Sequence, residues 1–119
     1  MLKQSGWHVD AFALHIYPEV GVTASGWHSM LVDGKNTILS YGPPTSKIWV
    51  TETLYNLLGP VISESDAPTL VSQTYDYAAQ EGVQQVYWYA WNRTDLGGLQ
   101  INAGSSAWSA IKNHANNAS

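Results

Sequence analysis

Three stretches of the chain are patterned as strands, and each is followed by a polar loop and a segment with helical spacing. In the first, Ala11 to Tyr17, residues Phe12, Leu14 and Ile16 alternate with Ala11, Ala13, His15 and Tyr17, the period of two that sends successive side chains to opposite faces. Pro18 stops this strand, because proline cannot donate to a ladder. The second is Lys47 to Thr51 or Glu52, and the third is Gln85 to Trp91. Helical spacing predicts a helix over Trp27 to Tyr41, with Met30, Leu31, Ile38 and Leu39 as its apolar contacts. Gly34 costs ~1 kcal/mol against alanine there and predicts a break. Gly42-Pro43-Pro44 terminates the segment. Asp66-Ala67-Pro68 opens a second helix, with Asp66 as cap and proline in the first turn. Its apolar face is Leu70, Val71, Tyr75, Ala78 and Ala79, and Gly82 ends it. Ser105 begins a last helix with Trp108 and Ile111 inside. The small polar tail, residues 113–119, is expected to fray.

Strands alternating with helices predict βαβ units and a parallel sheet. The fold class is therefore α/β, and its 119 residues fit a single domain. A closed (β/α)8 barrel takes about 250 residues. Three βα units amount to a partial barrel of TIM type, with two open edges and one uncovered sheet face. Alternation places Ala13, His15, Val50 and Tyr87 on that face. Open edges template pairing with other chains, so the expected state is a homo-oligomer or a complex with the rest of a barrel.

Composition narrows the function classes. A net charge of -4 with only five Lys and Arg lacks the basic footprint that nucleic acid requires. No apolar run approaches the ~20 residues of a membrane span. Cysteine is absent, which removes disulfides and thiolate metal sites. The spacing of His8, His28 and His114 matches no metal-ligand pattern, so neither metal nor cofactor is expected. Six Trp and seven Tyr against one Phe supply flat apolar faces with polar handles, which suit sugars as well as cores. Met1-Leu2-Lys3-Gln4-Ser5-Gly6 has no signal-peptide character and reads as a chain entered mid-domain.

The candidate chemistry sits at the strand ends. Ile48-Trp49-Val50-Thr51-Glu52 places an ionisable group at the tip of a β-branched strand, where the support is rigid and the end opens to solvent. This stretch resembles the seventh strand of clan A glycoside hydrolases, whose terminal glutamate is the nucleophile. Ala13-Leu14-His15-Ile16-Tyr17-Pro18 resembles the sixth strand of that clan, where a His-x-Tyr pair lines the active site. Tyr87-Trp88-Tyr89-Ala90-Trp91-Asn92 resembles the eighth, where a tryptophan floors a sugar subsite. Order and spacing agree over residues 7 to 112. The clan's fourth-strand Asn-Glu pair, which carries the acid/base, has no counterpart, since no Asn-Glu dipeptide occurs here.

The resemblance implies a retaining glycosidase acting on oligo- or polysaccharides, in which two carboxyl groups stand about 5–5.5 Å apart. Glu52 takes the nucleophile's position. Tyr17 is expected to hold it in attack geometry, His15 to contact substrate hydroxyls, and Trp91, Trp88 and Asn56 to bind sugar. Successive strand side chains point oppositely, so only one of Trp88 and Trp91 faces the site, and Trp49, opposite to Glu52, is assigned to the core. Trp7, Trp27 and Trp108 read as packing residues. Glu19, just past the first strand tip, is the only candidate by position for the absent acid; it and Asp95, in the glycine-containing loop beyond the third strand, read as solvated loop charges. The isolated chain is thus expected to be an incomplete catalyst. Family members of this kind are often secreted. The alternatives are an inactive self-assembling barrel fragment, and a carbohydrate-binding domain in which Glu52 only hydrogen-bonds hydroxyls.

Overall fold

The computed structural model describes residues 10–42 and 47–117; Trp7, His8, Pro43, Pro44 and Ser119 lie outside them. The elements are β1 (Phe12–Ile16), α1 (Ala24–Tyr41), β2 (Ile48–Thr53), α2 (Ala67–Gln80), β3 (Gln85–Trp88), a short 3-10 turn (Thr94–Leu96) and α3 (Ser106–Asn117). All three strands are parallel and lie in the order β1-β2-β3. The chain is a small α/β domain in which parallel strands alternate with helices, as the pattern predicts.

One face of the sheet carries the core. Ile16, Ile48 and Val50 pack against Trp27 and Leu31 of α1 and Ala78 of α2, with Leu14, Val86 and Trp88 at the margin. A second cluster joins Leu54, Val71, Leu99, Ile101, Ala107 and Ala110 between α2, α3 and the strand-end loops. Trp27, Leu31, Val50 and Val71 are fully buried, each contributing roughly 1.5–3 kcal/mol.

The helices depart from their predicted form in three places. α1 begins three residues earlier than expected and runs unbroken through Gly34. A Cβ at Gly34 would stand 3.0 Å from Leu14 Cδ1, so the glycine brings α1 close to β1 rather than breaking it. Asp66 holds the cap position of α2, but its side chain makes no capping bond. Instead Ser63 Oγ accepts the Asp66 N–H at 3.2 Å. α3 is capped by Ser105, whose Oγ accepts the Trp108 N–H at 3.1 Å. It continues to Asn117, and His114 stacks on Tyr75 at 4.4 Å, so residues 113–117 are helical where fraying was expected.

α1 is also braced to the end of α2. His28 stacks on Tyr77 at 4.2 Å and its Nε2 lies 2.9 Å from Glu81 Oε2. Lys35 Nζ donates to the Glu81 carbonyl at 2.9 Å and to its carboxylate at 3.3 Å. The His28 bond, then Lys35, hold the Glu81 carboxyl below its ordinary range. Gly82, with φ of 75°, ends α2 as its position predicts.

The sheet contains one irregularity that decides where Glu52 points. Leu14 pairs with Val50, but the next residue, His15, pairs with Glu52, and Ile16 with Thr53. On the other side Val50 pairs with Val86 and Thr53 with Trp88, so Thr51 and Glu52 together face Tyr87. Thr51 is the extra residue of a β-bulge, a feature that re-aims the side chains after it. Without it, strict alternation would set Glu52 on the face of Ile48 and Val50, inside the core. The bulge corrects two expectations. Trp49 lies on the same open face as Glu52 and is 36% exposed rather than core, and Val50, expected on that face, is fully buried. The open face presents Ala13, His15, Trp49, Glu52 and Tyr87.

Deleting Thr51 leaves the other side chains of β2 on their present faces, so the shortened protein should still unfold cooperatively in urea. Deleting Trp49, a change of equal length, turns Ile48 or Val50 outward and should cost about 1.5–3 kcal/mol more. Thr51 Oγ1 is buried with no partner among the described residues, so Thr51→Val should leave the unfolding free energy measured in urea unchanged or raise it by up to about 1 kcal/mol.

Candidate active site

At the C-terminal end of the sheet, β1 and β2 bring His15, Tyr17 and Glu52 together. The Tyr17 hydroxyl donates to Glu52 Oε2 at 2.6 Å. His15 Nδ1 lies 3.5 Å from the same oxygen, with the His15 and Glu52 side chains 55% and 38% exposed. Both partners therefore meet at Oε2. Among the described residues none bonds to Oε1, which leaves one carboxylate oxygen held and the other open.

Burial raises the Tyr17 phenol well above its ordinary value, and the hydrogen bond to Glu52 and the Glu52 charge raise it further. A phenol held neutral keeps its proton on the Glu52 side, so Tyr17 acts here as a donor. Tyr89, just past β3, adds to this environment: its ring stands edge-on to Tyr17 with centroids 6.2 Å apart and planes at 81°. Its N–H bonds to the Thr53 carbonyl at 2.9 Å. Tyr89 was not singled out from the sequence. The signal was available in the parity of β3, since polar Gln85 shares the side of Tyr87 and Tyr89 while Val86 and Trp88 take the other.

The tryptophans do not join this group. Trp88 is turned to the helix side, where its Nε1 donates to the Tyr75 hydroxyl at 3.0 Å, which removes it from the sugar-binding expectation. Trp91 lies beyond the strand and meets Trp108 of α3 edge-on at 4.9 Å, remaining 52% exposed. Both line a groove of about 270 Å³ with Tyr75, Tyr87, Trp108 and Ile111. Asn56 is engaged with the frame: its Oδ1 accepts the Gly21 N–H at 3.2 Å and its Nδ2 donates to the Pro60 carbonyl at 3.4 Å. It ties the loop after β1 to the loop after β2 and does not touch Glu52.

The loops after β2 and β3 are fastened main chain to main chain. Leu58 donates to Leu96, Ile62 to Gly98 and Leu99 to Tyr55, at 2.6, 2.9 and 3.2 Å. Gly97 and Gly98 both have positive φ, and a Cβ on either would run into the carbonyl oxygens of Gly59 or Tyr55. Only glycine permits this approach.

No second carboxylate reaches Glu52 among the described residues. Asp95 is clamped by Arg93 through two bonds of 2.8 Å, and Glu19 is exposed at the tip of β1. No group of three or more His, Cys, Asp or Glu among the described residues is placed to hold a metal. No helix among them is long and apolar enough to cross a membrane. Comparison of the chain with protein-family models, with curated proteins and with solved structures finds no match.

The tyrosines give the fold an alkaline limit. Burial also raises Tyr55, which is bonded to Thr74 at 2.7 Å in the core. Both phenols have an ordinary value of 10.0, so above it the unfolded chain releases protons that the folded chain keeps. Their contribution is full below about pH 10 and declines as pH rises beyond it. Urea midpoints measured from pH 8 upward should fall above pH 10, and Tyr17→Phe should make that fall shallower.

Proposed function

We propose that the chain is the nucleophile-bearing part of a retaining glycoside hydrolase, with Glu52 as nucleophile and an oligo- or polysaccharide as substrate. The observation that carries the reading is the asymmetry of the Glu52 carboxylate: Oε2 is held by Tyr17 and approached by His15, and Oε1 is unengaged among the described residues. A nucleophile needs this arrangement, one oxygen fixed for aim and one free for attack. The three strand motifs support it, with the corrections that Trp88 faces the helices and Asn56 braces loops. The exposed Trp49 and the Tyr89 ring beside Tyr17 remain to receive a sugar face.

The reaction follows from these groups. Glu52 Oε1 attacks the anomeric carbon and the glycosidic C–O bond breaks, leaving a glycosyl ester on Glu52. The departing oxygen takes a proton from a carboxylic acid supplied from outside this chain. That acid, now a carboxylate, removes a proton from water, which cleaves the ester and restores Glu52. The Tyr17 hydroxyl stays on Oε2 throughout and keeps the carboxylate from turning.

A 2-deoxy-2-fluoroglycosyl fluoride tests the first step alone, because its leaving group needs little protonation. With probes of gluco, manno, galacto and xylo configuration, intact-protein mass spectrometry should show one glycosyl adduct at Glu52, absent in Glu52→Gln. Folded wild-type protein that takes no adduct from any of the four would overturn the reading.

Within this reading the three units belong to a (β/α)8 barrel whose remaining strands come from other copies of the chain or from a separate portion. The support is an open face that carries two large exposed aromatics, Trp49 and Tyr87, the latter 51% exposed. Light scattering after size exclusion should give a mass above that of one chain, and Tyr87→Lys should lower it. A wild-type monomer would remove self-assembly.

A further inference from the structure

We infer that Thr53, working with Trp27, is a positioning residue that sets the Tyr17–Glu52 contact from the opposite side of the sheet. Thr53 directly follows Glu52, and Ile16 directly precedes Tyr17. The Trp27 indole N–H donates to Thr53 Oγ1 at 2.9 Å, and the Thr53 hydroxyl donates to the Ile16 carbonyl at 2.7 Å. Trp27 and Thr53 are both fully buried. The relay thus runs from α1 through β2 to the main chain of β1, anchored one residue after Glu52 and one residue before Tyr17.

Its position gives it this role. The bulge leaves Thr51 without a partner on β1, so the ladder is at its loosest just before Glu52. Beyond the bulge the strands are held at Ile16 and Thr53, and the relay adds a side-chain bond across that step. A threonine hydroxyl both accepts and donates, which lets one atom join the helix to both strands. The branched Cβ restricts χ1, and the two bonds to the one hydroxyl tie the separation of the strand tips to its position. Serine keeps the bonding, and valine keeps the shape but abandons two buried polar groups, the Ile16 carbonyl and the Trp27 N–H.

The catalytic meaning of the inference rests on Glu52 as nucleophile, but its test does not need a sugar. The Tyr17 Cζ carbon, labelled with ¹³C and assigned through Tyr17→Phe, senses what the hydroxyl donates to. The wild-type signal should differ from that of Glu52→Gln, and this difference is the response to the Tyr17–Glu52 contact. Thr53→Val should lose most of the difference and Thr53→Ser should keep it. If Thr53→Val does not fold, Trp27→Phe is read in the same way and should also lose most of it. A folded Thr53→Val or Trp27→Phe protein with a lowered urea midpoint but a full-sized Tyr17 response would overturn the inference, reducing the relay to packing. A wild-type protein that resists the fluoroglycosides yet shows the Thr53-dependent response would refute the glycosidase reading alone.

Discussion

The period of two along a strand is the constraint on which the open face depends, and β2 breaks it once. Ile48 and Val50 are committed to the core by their burial, and Thr53 is committed to it by its bonds to Trp27 and Ile16. Those commitments are incompatible with an unbroken ladder, because Val50 and Thr53 have opposite parity. The bulge at Thr51 resolves the conflict. Glu52 is carried outward as a result, into line with His15 on the neighbouring strand. The placement of the carboxylate is therefore a product of core packing on both sides of it, rather than of any force acting on the carboxylate itself.

Much of this was legible in the sequence. The three strands and their helices follow from hydrophobic spacing, and the glycines and proline that bound them act through backbone geometry that sequence states directly. His15, Tyr17 and Glu52 meet as their motifs suggest, because two residues two apart on one strand and a third at the tip of its neighbour need only a parallel pairing. What escaped was whatever depended on register. Counting by twos across Thr51 puts Trp49 in the core and Val50 on the open face, the wrong side for each, and no residue type marks a bulge. Trp88 and Trp91 were undecided for a related reason: the chain leaves the ladder after Trp88, and parity stops carrying information there.

The second layer of the site was hidden for another reason. Trp27 reads as an ordinary apolar position on a helix, and Thr53 as a polar residue past a strand end. Their bond spans 26 positions, and only packing of α1 on the sheet brings them together. Asn56 was similarly misplaced, since an asparagine near a strand tip invites a ligand-binding reading while its left-handed backbone, φ of 55°, fits a loop brace. Gly34 shows the same limitation in a helix: propensity records its cost, while the benefit lies in Leu14 on another element.

The main-chain stitching between the loops after β2 and β3 has a consequence for how such a rim can change over time. Its bonds run between carbonyls and amides of Leu58, Ile62, Leu96, Gly98, Leu99 and Tyr55, and apart from Gly97 and Gly98 they ask little of side-chain identity. Leu58 and Val61, 78% and 62% exposed on these loops, project from a frame that does not need them. Val61 can be exchanged while the strand tips stay where they are, and Leu58 for residues that accept its left-handed backbone, φ of 62°, and keep its N–H. The architecture separates what must be inherited unchanged, the backbone weave and the pair of glycines, from what is left open to variation along the rim.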